Sequence, residues 1–162
     1  MPKNIVVDPL DKNSVSNAIK ELKQYKAWVQ QKETELRLRL ATLGATVASI
    51  QFSRAIYSGT NDVSVRVDNT GSVAVIYAEG EAVAFIEFGA GAAYGYGHPE
   101  ASKFGTGPGT YPNGKGHWND PNGWWYAHGE HTYGNLPAMG MYQAREEIVE
   151  QYTQIARQVF SK

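Results

Sequence analysis

Val15, Leu22, Val29, Leu36, Leu43 and Ile50 recur at a spacing of seven. A second row, Ile19, Lys26, Glu33, Leu40 and Val47, lies four residues on from the first. Together the rows make one helical stripe, broken by charge at its middle. This pattern constrains the chain most, because it runs longer than an ordinary globular helix. Asn13 or Ser14 is placed to cap it, and residues 1–13, with Pro2 and Pro9, read as a short extended arm. Gly44 marks where the helix would kink or split. Two arrangements suit such a helix: packing as an amphipathic helix on a sheet, or reaching a neighbouring subunit through its charged middle.

Two strands follow. Val63, Val65 and Val67 alternate with Ser64, Arg66 and Asp68, and Val73, Val75 and Tyr77 alternate back. Asp68-Asn69-Thr70-Gly71 supplies the turn, giving a β-hairpin. Gly80 ends it. Residues 81–88 form a third strand or a short helix, and the lack of alternation among Ala82, Phe85, Ile86 and Phe88 favours helix. Near the C-terminus Met141, Ile148 and Ile155 recur at seven, as do Arg145, Tyr152 and Val159. With Pro137 in the first turn and Asn135 as a cap, this predicts a closing amphipathic helix.

Between these lies a glycine- and aromatic-rich excursion over 92–134, holding all four histidines and Trp118, Trp124 and Trp125. Its Gly123–Gly129 segment reads as a strand paired with Glu130–Tyr133. A loop of this length is functional or is ordered by a partner. The order predicts one α+β domain over 1–162: a long helix, a small antiparallel sheet, a long loop, and a C-terminal helix on the sheet.

Fifteen Lys+Arg against sixteen Asp+Glu give a formal charge of −1, with no basic excess for nucleic acid or an anionic membrane. Cysteine is absent, which excludes disulfides, thiol nucleophiles and thiolate zinc sites. No apolar run reaches the length of a membrane span. These features lead to the expectation of a soluble protein made in the cytoplasm.

Three kinds of chemistry suit the excursion. His128 and His131, with His117 and Asp120 upstream, could supply zinc ligands, although Gly129 opposes the helix that a His-Glu-x-x-His site needs. Glu87, between Phe85 and Phe88, is the best candidate for a desolvated acid, with Asp120 and Glu130 near the tryptophans. A buried glutamate beside two aromatics is more often a structural carboxylate, accepting backbone N–H bonds or pairing with an arginine, here Arg54, Arg66 or Arg145. Histidines outside a zinc site would be solvated or interfacial. No nucleophile-elbow or phosphate-cradle motif is present. A cell-wall hydrolase, a zinc peptidase, and a carbohydrate-binding module stacking sugars on Trp118, Trp124 and Trp125 are the alternatives this composition leaves open.

Two segments carry a resemblance. Phe85, Glu87, Phe88, Gly89 and Gly91 form an aromatic-x-Glu-Phe-Gly pattern after the hairpin. Gly134, Pro137, Met141 and Tyr142 answer to a Gly-x-Pro-Ala/Ser-type turn leading into a helix that begins with Met, Phe or Tyr. In this order they resemble the minor tail, or tail-completion, proteins of long-tailed phages and prophages, the family of Z-like head–tail joining components. The chain departs from many members at Ser53–Thr60, where they carry Pro-x-x-Thr-Gly-x-Leu, and in the length of its excursion.

The resemblance implies a non-enzymatic virion subunit without cofactor or metal. It would be made in the host bacterial cytoplasm and placed at the tail and neck. Its partners would be tail and neck proteins, with copies of itself forming a ring. It implies a structural Glu87 that holds the bend at Gly89, and a docking surface in the excursion carrying Trp118, Trp124, Trp125 and Tyr126.

Overall fold

The structure is a computed structural model that describes residues 4–57, 59–91, 98–104, 122–125 and 129–161. The fold is α+β, as the residue patterns predict. Helix α1 runs unbroken over Lys12–Arg54, about 64 Å at 1.5 Å per residue. Its cap is Asp11, whose side chain accepts from Asn13 N–H at 2.9 Å, rather than Asn13 or Ser14. The Ser14 hydroxyl instead accepts from Asp8 N–H at 2.9 Å and folds the arm back.

Gly44 neither kinks nor splits α1. A Cβ there would stand 2.5 Å from Ile148 Cδ1 and 2.6 Å from Ile76 Cδ1. The glycine lets a second helix and the hairpin reach the α1 backbone. The buried row of α1 is accordingly Ala41, Gly44, Ala48 and Phe52, one residue off the row of large apolar residues. Leu22 and Ile50 of that expected row are exposed. Close helix packing selects small side chains here, and the larger ones flank the seam. Apart from exposed Lys26, the charges of the middle are bound within the subunit, Glu33 lying 4.0 Å from Arg37. Glu35 pairs with Lys32 at 3.3 Å and Arg39 at 2.8 Å, and Arg37 donates to Gly71 O at 2.9 Å.

Strands β1 (Ser64–Asp68) and β2 (Val75–Glu79) pair antiparallel, with Val65 opposite Ala78 and Val67 opposite Ile76. Those four are half-buried and face α1. The return strand starts later than the alternation suggests, because Asp68 Oδ1 accepts from Thr70 N–H at 2.9 Å and so turns the chain before a longer loop. The register, with Ile76 and Ala78 opposite the inward Val67 and Val65, puts Val73, Val75 and Tyr77 on the exposed side. There Arg66 lies 4.0 Å over the Tyr77 ring and binds Glu79 through both Nε and Nη2.

Helix α2 (Val83–Phe88) is the short helix expected from the missing alternation. Strand β3 (Ala90–Gly91) leaves it. Within the excursion the described residues hold a 3-10 turn, Ala101–Phe104, then β4 (Trp124–Trp125) and β5 (His131–Thr132), which pair as predicted. Strand β6 (Gly134–Asn135) returns to β3, with Ala90 opposite Asn135 and Gly91 opposite Gly134.

Helix α3 (Gly140–Phe160) closes the fold, starting later than Asn135 and Pro137 suggest. It runs antiparallel to α1: Gly140 meets the Phe52 ring, Ile148 meets Gly44, and Phe160 meets Trp28 at 5.9 Å. Its outward side includes Arg145 and Tyr152, so only Val159 of their predicted row is buried. The core lies where α1, α2, α3 and the hairpin meet, and is built on Ala48, Phe52, Ala82, Ile86 and Ala144. Among the described residues no helix is long and apolar enough to cross a membrane.

Candidate functional site

The start of α3 has a structural problem that its own sequence does not solve. Its N-cap is Met139, held left-handed at φ 53° and without a side chain that can accept a hydrogen bond. The first N–H groups of a helix need acceptors. Glu87 supplies them from α2. Its Oε2 accepts from Met141 N–H and its Oε1 from Tyr142 N–H, both at 3.0 Å. The carboxylate is 6% exposed and sits where the positive end of the helix dipole favours a negative charge.

Glu87 is thus a helix cap delivered across the fold. The resemblance implied that it would hold the bend at Gly89, but its carboxylate is engaged at α3. The bend is fixed by the backbone: Gly89 has φ 79°, and a Cβ there would meet Asn135 O and Pro137 N at 2.9 Å. Two of the three proposed arginine partners are engaged elsewhere, Arg66 with Glu79 and Arg145 with Glu100 and Glu146.

The main chain joins the same two segments. Ile86 O accepts from Ala138 N–H at 2.7 Å, and Glu87 O accepts from Met139 N–H at 3.2 Å. Asn135, expected as a cap, instead donates its amide to Phe85 O at 2.9 Å while pairing with Ala90. Residues 85–91 and 134–142 therefore form one hydrogen-bonded unit.

His98 completes it from the excursion. It is 7% exposed, with Nε2 3.3 Å from Glu87 Oε1. Its Nδ1 accepts from Glu100 N–H at 3.2 Å, which places the ring proton on Nε2 and makes His98 a donor to Glu87. The imidazole is packed 4.5 Å from the Phe88 ring and 5.6 Å from Tyr142. This histidine is neither solvated nor on the surface, contrary to the expectation for histidines outside a zinc site. Two carboxylate oxygens accepting three hydrogen bonds leave Glu87 poorly placed as a proton donor to a substrate.

Beside the unit lies a cleft of about 430 Å³, lined among others by Val83, Phe88, Phe104, Met141 and Arg145. Arg145 reaches Glu100 at 2.7 Å and Glu146 at 2.8 Å, and lies 5.1 Å over the Tyr142 ring. The Lys103 ammonium and the Arg145 guanidinium hold the Glu100 carboxyl below its ordinary range, and the Glu146 and Glu100 carboxylates raise Arg145.

The second predicted region is only partly described. Trp125 is 70% exposed, and its ring lies 4.7 Å from His131, which lies 4.8 Å from Tyr133. Successive rings are steeply inclined, at 63° and 77°, so they share no flat face for a sugar. Trp124 is placed by its backbone pairing with Thr132. His117, Trp118, Asp120, Tyr126 and His128 lie outside the described residues. Among the described residues no group of three or more histidines and carboxylates is gathered as a metal site.

The reading of Glu87 as a structural carboxylate accepting backbone N–H bonds holds; His98 and the helix that Glu87 caps were missed, although a signal for the cap existed. Met139-Gly140-Met141 offers no capping side chain before a strong helical pattern, while an acidic residue stands inside the apolar run 85–88. No protein-family model, curated protein or solved structure matches this chain.

Proposed function

We propose that this chain is a non-enzymatic structural subunit of a long-tailed phage or prophage, acting in tail completion and head–tail joining. One observation carries the reading: the two segments that bear the resemblance, far apart in sequence, form a single unit around Glu87. Glu87 O and both carboxylate oxygens bind the turn and first residues of α3. The pattern is thereby a structural device, with glutamate as the cap, glycine as the bend and proline in the incoming turn. A carboxylate so engaged fits a scaffold role better than acid catalysis.

The partners in this reading are neck and tail proteins and further copies of the chain. Exposed Trp125 and Tyr133 supply part of the docking surface. The test is to delete the coding sequence from the phage or prophage that carries it and to inspect induced lysates by electron microscopy. Filled heads and tails accumulating unjoined, and joining when purified protein is added back, are the expected result. Normal, infectious particles without the protein would overturn the reading.

A further inference from the structure

Trp28 meets Phe160 at the C-terminal end of α3, so residues 12–27 of α1 extend past that helix by about 24 Å. Every residue from Ile19 to Ala27 is exposed, on all sides of the helix. This segment nevertheless carries an apolar stripe: Val15, Ile19, Leu22 (56% exposed) and Tyr25. The arm folded beside it adds exposed Val6 and Leu10. Only Ala18 of this segment is buried, so it relies on helix propensity and continuity with the rest of α1, and a cover on its stripe would add stability.

Charge selects what covers it. Residues 12–27 carry Lys12, Lys20, Lys23 and Lys26 against Glu21; Lys23 lines one edge of the stripe, and Lys26 lies within it, seven residues on from Ile19. Among the described residues none of these lysines is ion-paired. Two such segments laid together would bring like charges into contact, which disfavours a symmetric pairing of projecting ends.

The outward face of α3 has the matching character. Val149 (69% exposed) and Tyr152 (52%) form a short apolar row, with Glu146 and Glu150 along its edge. Glu147 adds negative charge beside them, and the guanidinium of Arg145 is already bound by Glu100 and Glu146.

We infer that residues 15–26 of α1 in one copy dock on the outer face of α3 in a second copy. Ile19, Leu22 and Tyr25 would pack on Val149 and Tyr152, and Lys23 and Lys26 would face Glu150 and the Glu146 that Arg145 already binds. The two surfaces are different, so the contact is head-to-tail and each copy can accept one neighbour while docking on another. The inference does not depend on the phage reading: it concerns self-association alone, whereas the deletion experiment concerns the particle.

The test uses charge reversal on the full chain. K23E/K26E makes both surfaces acidic, and E146K/E150K makes both basic. Light scattering across a concentration series should show wild-type mass rising above the monomer and falling back at high salt. Each variant alone should remain monomeric, and an equimolar mixture should regain the wild-type mass. The uncharged variant L22S should also remain monomeric while keeping its circular dichroism. A wild type that stays monomeric throughout would overturn the inference, as would variants that associate unchanged, or a mixture of two folded variants that stays monomeric. A monomeric wild type that instead binds phosphatidylserine-containing vesicles would also overturn it, assigning the basic stripe to an anionic lipid surface.

Discussion

Both oxygens of Glu87 accept backbone N–H groups, and one also receives the His98 ring proton, so the three groups act as a unit. E87Q keeps the volume but turns an amide N–H₂ toward donors that need an acceptor, and should cost about 1–3 kcal/mol. E87A should cost at least as much, since it leaves both N–H groups and the imidazole without the carboxylate. H98F keeps an aromatic ring between Phe88 and Tyr142 and leaves the cap bonds in place, so about 1 kcal/mol is expected. The double variant E87A/H98F should cost less than the sum of the singles, because one lost bond is counted in both. Urea unfolding of the four proteins checks all of this, and strict additivity would show that the histidine and the cap are uncoupled.

Acid should also act through identifiable carboxylates. Asp62 caps the approach to α2, accepting from Glu81 N–H at 2.6 Å and Ala82 N–H at 3.0 Å, and these bonds lower its pKa below the ordinary value. Side-chain hydrogen bonds from Arg66 lower Glu79, and those from Lys103 and Arg145 lower Glu100. A depressed folded-state pKa contributes stability that is present above the unfolded value and is lost as pH falls through the folded one. The contribution of these three carboxylates should therefore be complete from neutrality to about pH 5 and be lost below it. D62N should show a shallower decline over the same range, measured as the urea midpoint against pH. A decline as steep as the wild type's would remove Asp62 from the account.

Between elements, the seam of α1 and α3 depends on glycine at two crossings with different neighbours. A Cβ at Gly140 would stand 2.7 to 2.9 Å from three ring atoms of Phe52, a side chain 1% exposed with no room to turn. G140A should cost about 1–3 kcal/mol. At Gly44 the neighbours are the methyl ends of Ile148 and Ile76, which can rotate, and alanine also gains up to about 1 kcal/mol in helix propensity. G44A should therefore be milder than G140A, with thermal or urea midpoints as the measure.

The same seam explains what was legible in the sequence. The existence of α1, the hairpin and α3 followed from periods that backbone geometry imposes, and α2 from the absence of a strand's alternation. The face of α1 did not, because a row of large apolar residues marks a helix as amphipathic, whereas close packing buried Ala41, Gly44 and Ala48 instead. The return strand was displaced for a local reason, the Asp68 side chain turning the chain at Thr70. His98 had no period to announce it. Its burial depends on Glu87 and Tyr142, which only the folded chain brings beside it.

For the whole molecule, the unequal lengths of the two long helices divide α1 into parts with different support. Residues 40–54 are held by α3, the hairpin and α2, and include Ala41, Gly44, Ala48 and Phe52 among the buried. Residues 19–27 have no burial at all and so rely on helix propensity and continuity with the supported part. Local opening should follow this division. In dilute protein, amides of 12–27 should exchange about a hundredfold faster than those of 40–54, the ratio expected if opening the projecting part costs about 3 kcal/mol less than opening the core. Raising the protein concentration should slow exchange in 12–27 and on the outward side of α3, around 146–153, and leave 40–54 unchanged. Slowing at only one of the two sites would mean that the helix docks somewhere other than α3. Uniform slow exchange along all of α1 in dilute solution would mean that the projecting part is supported within the monomer and needs no neighbour.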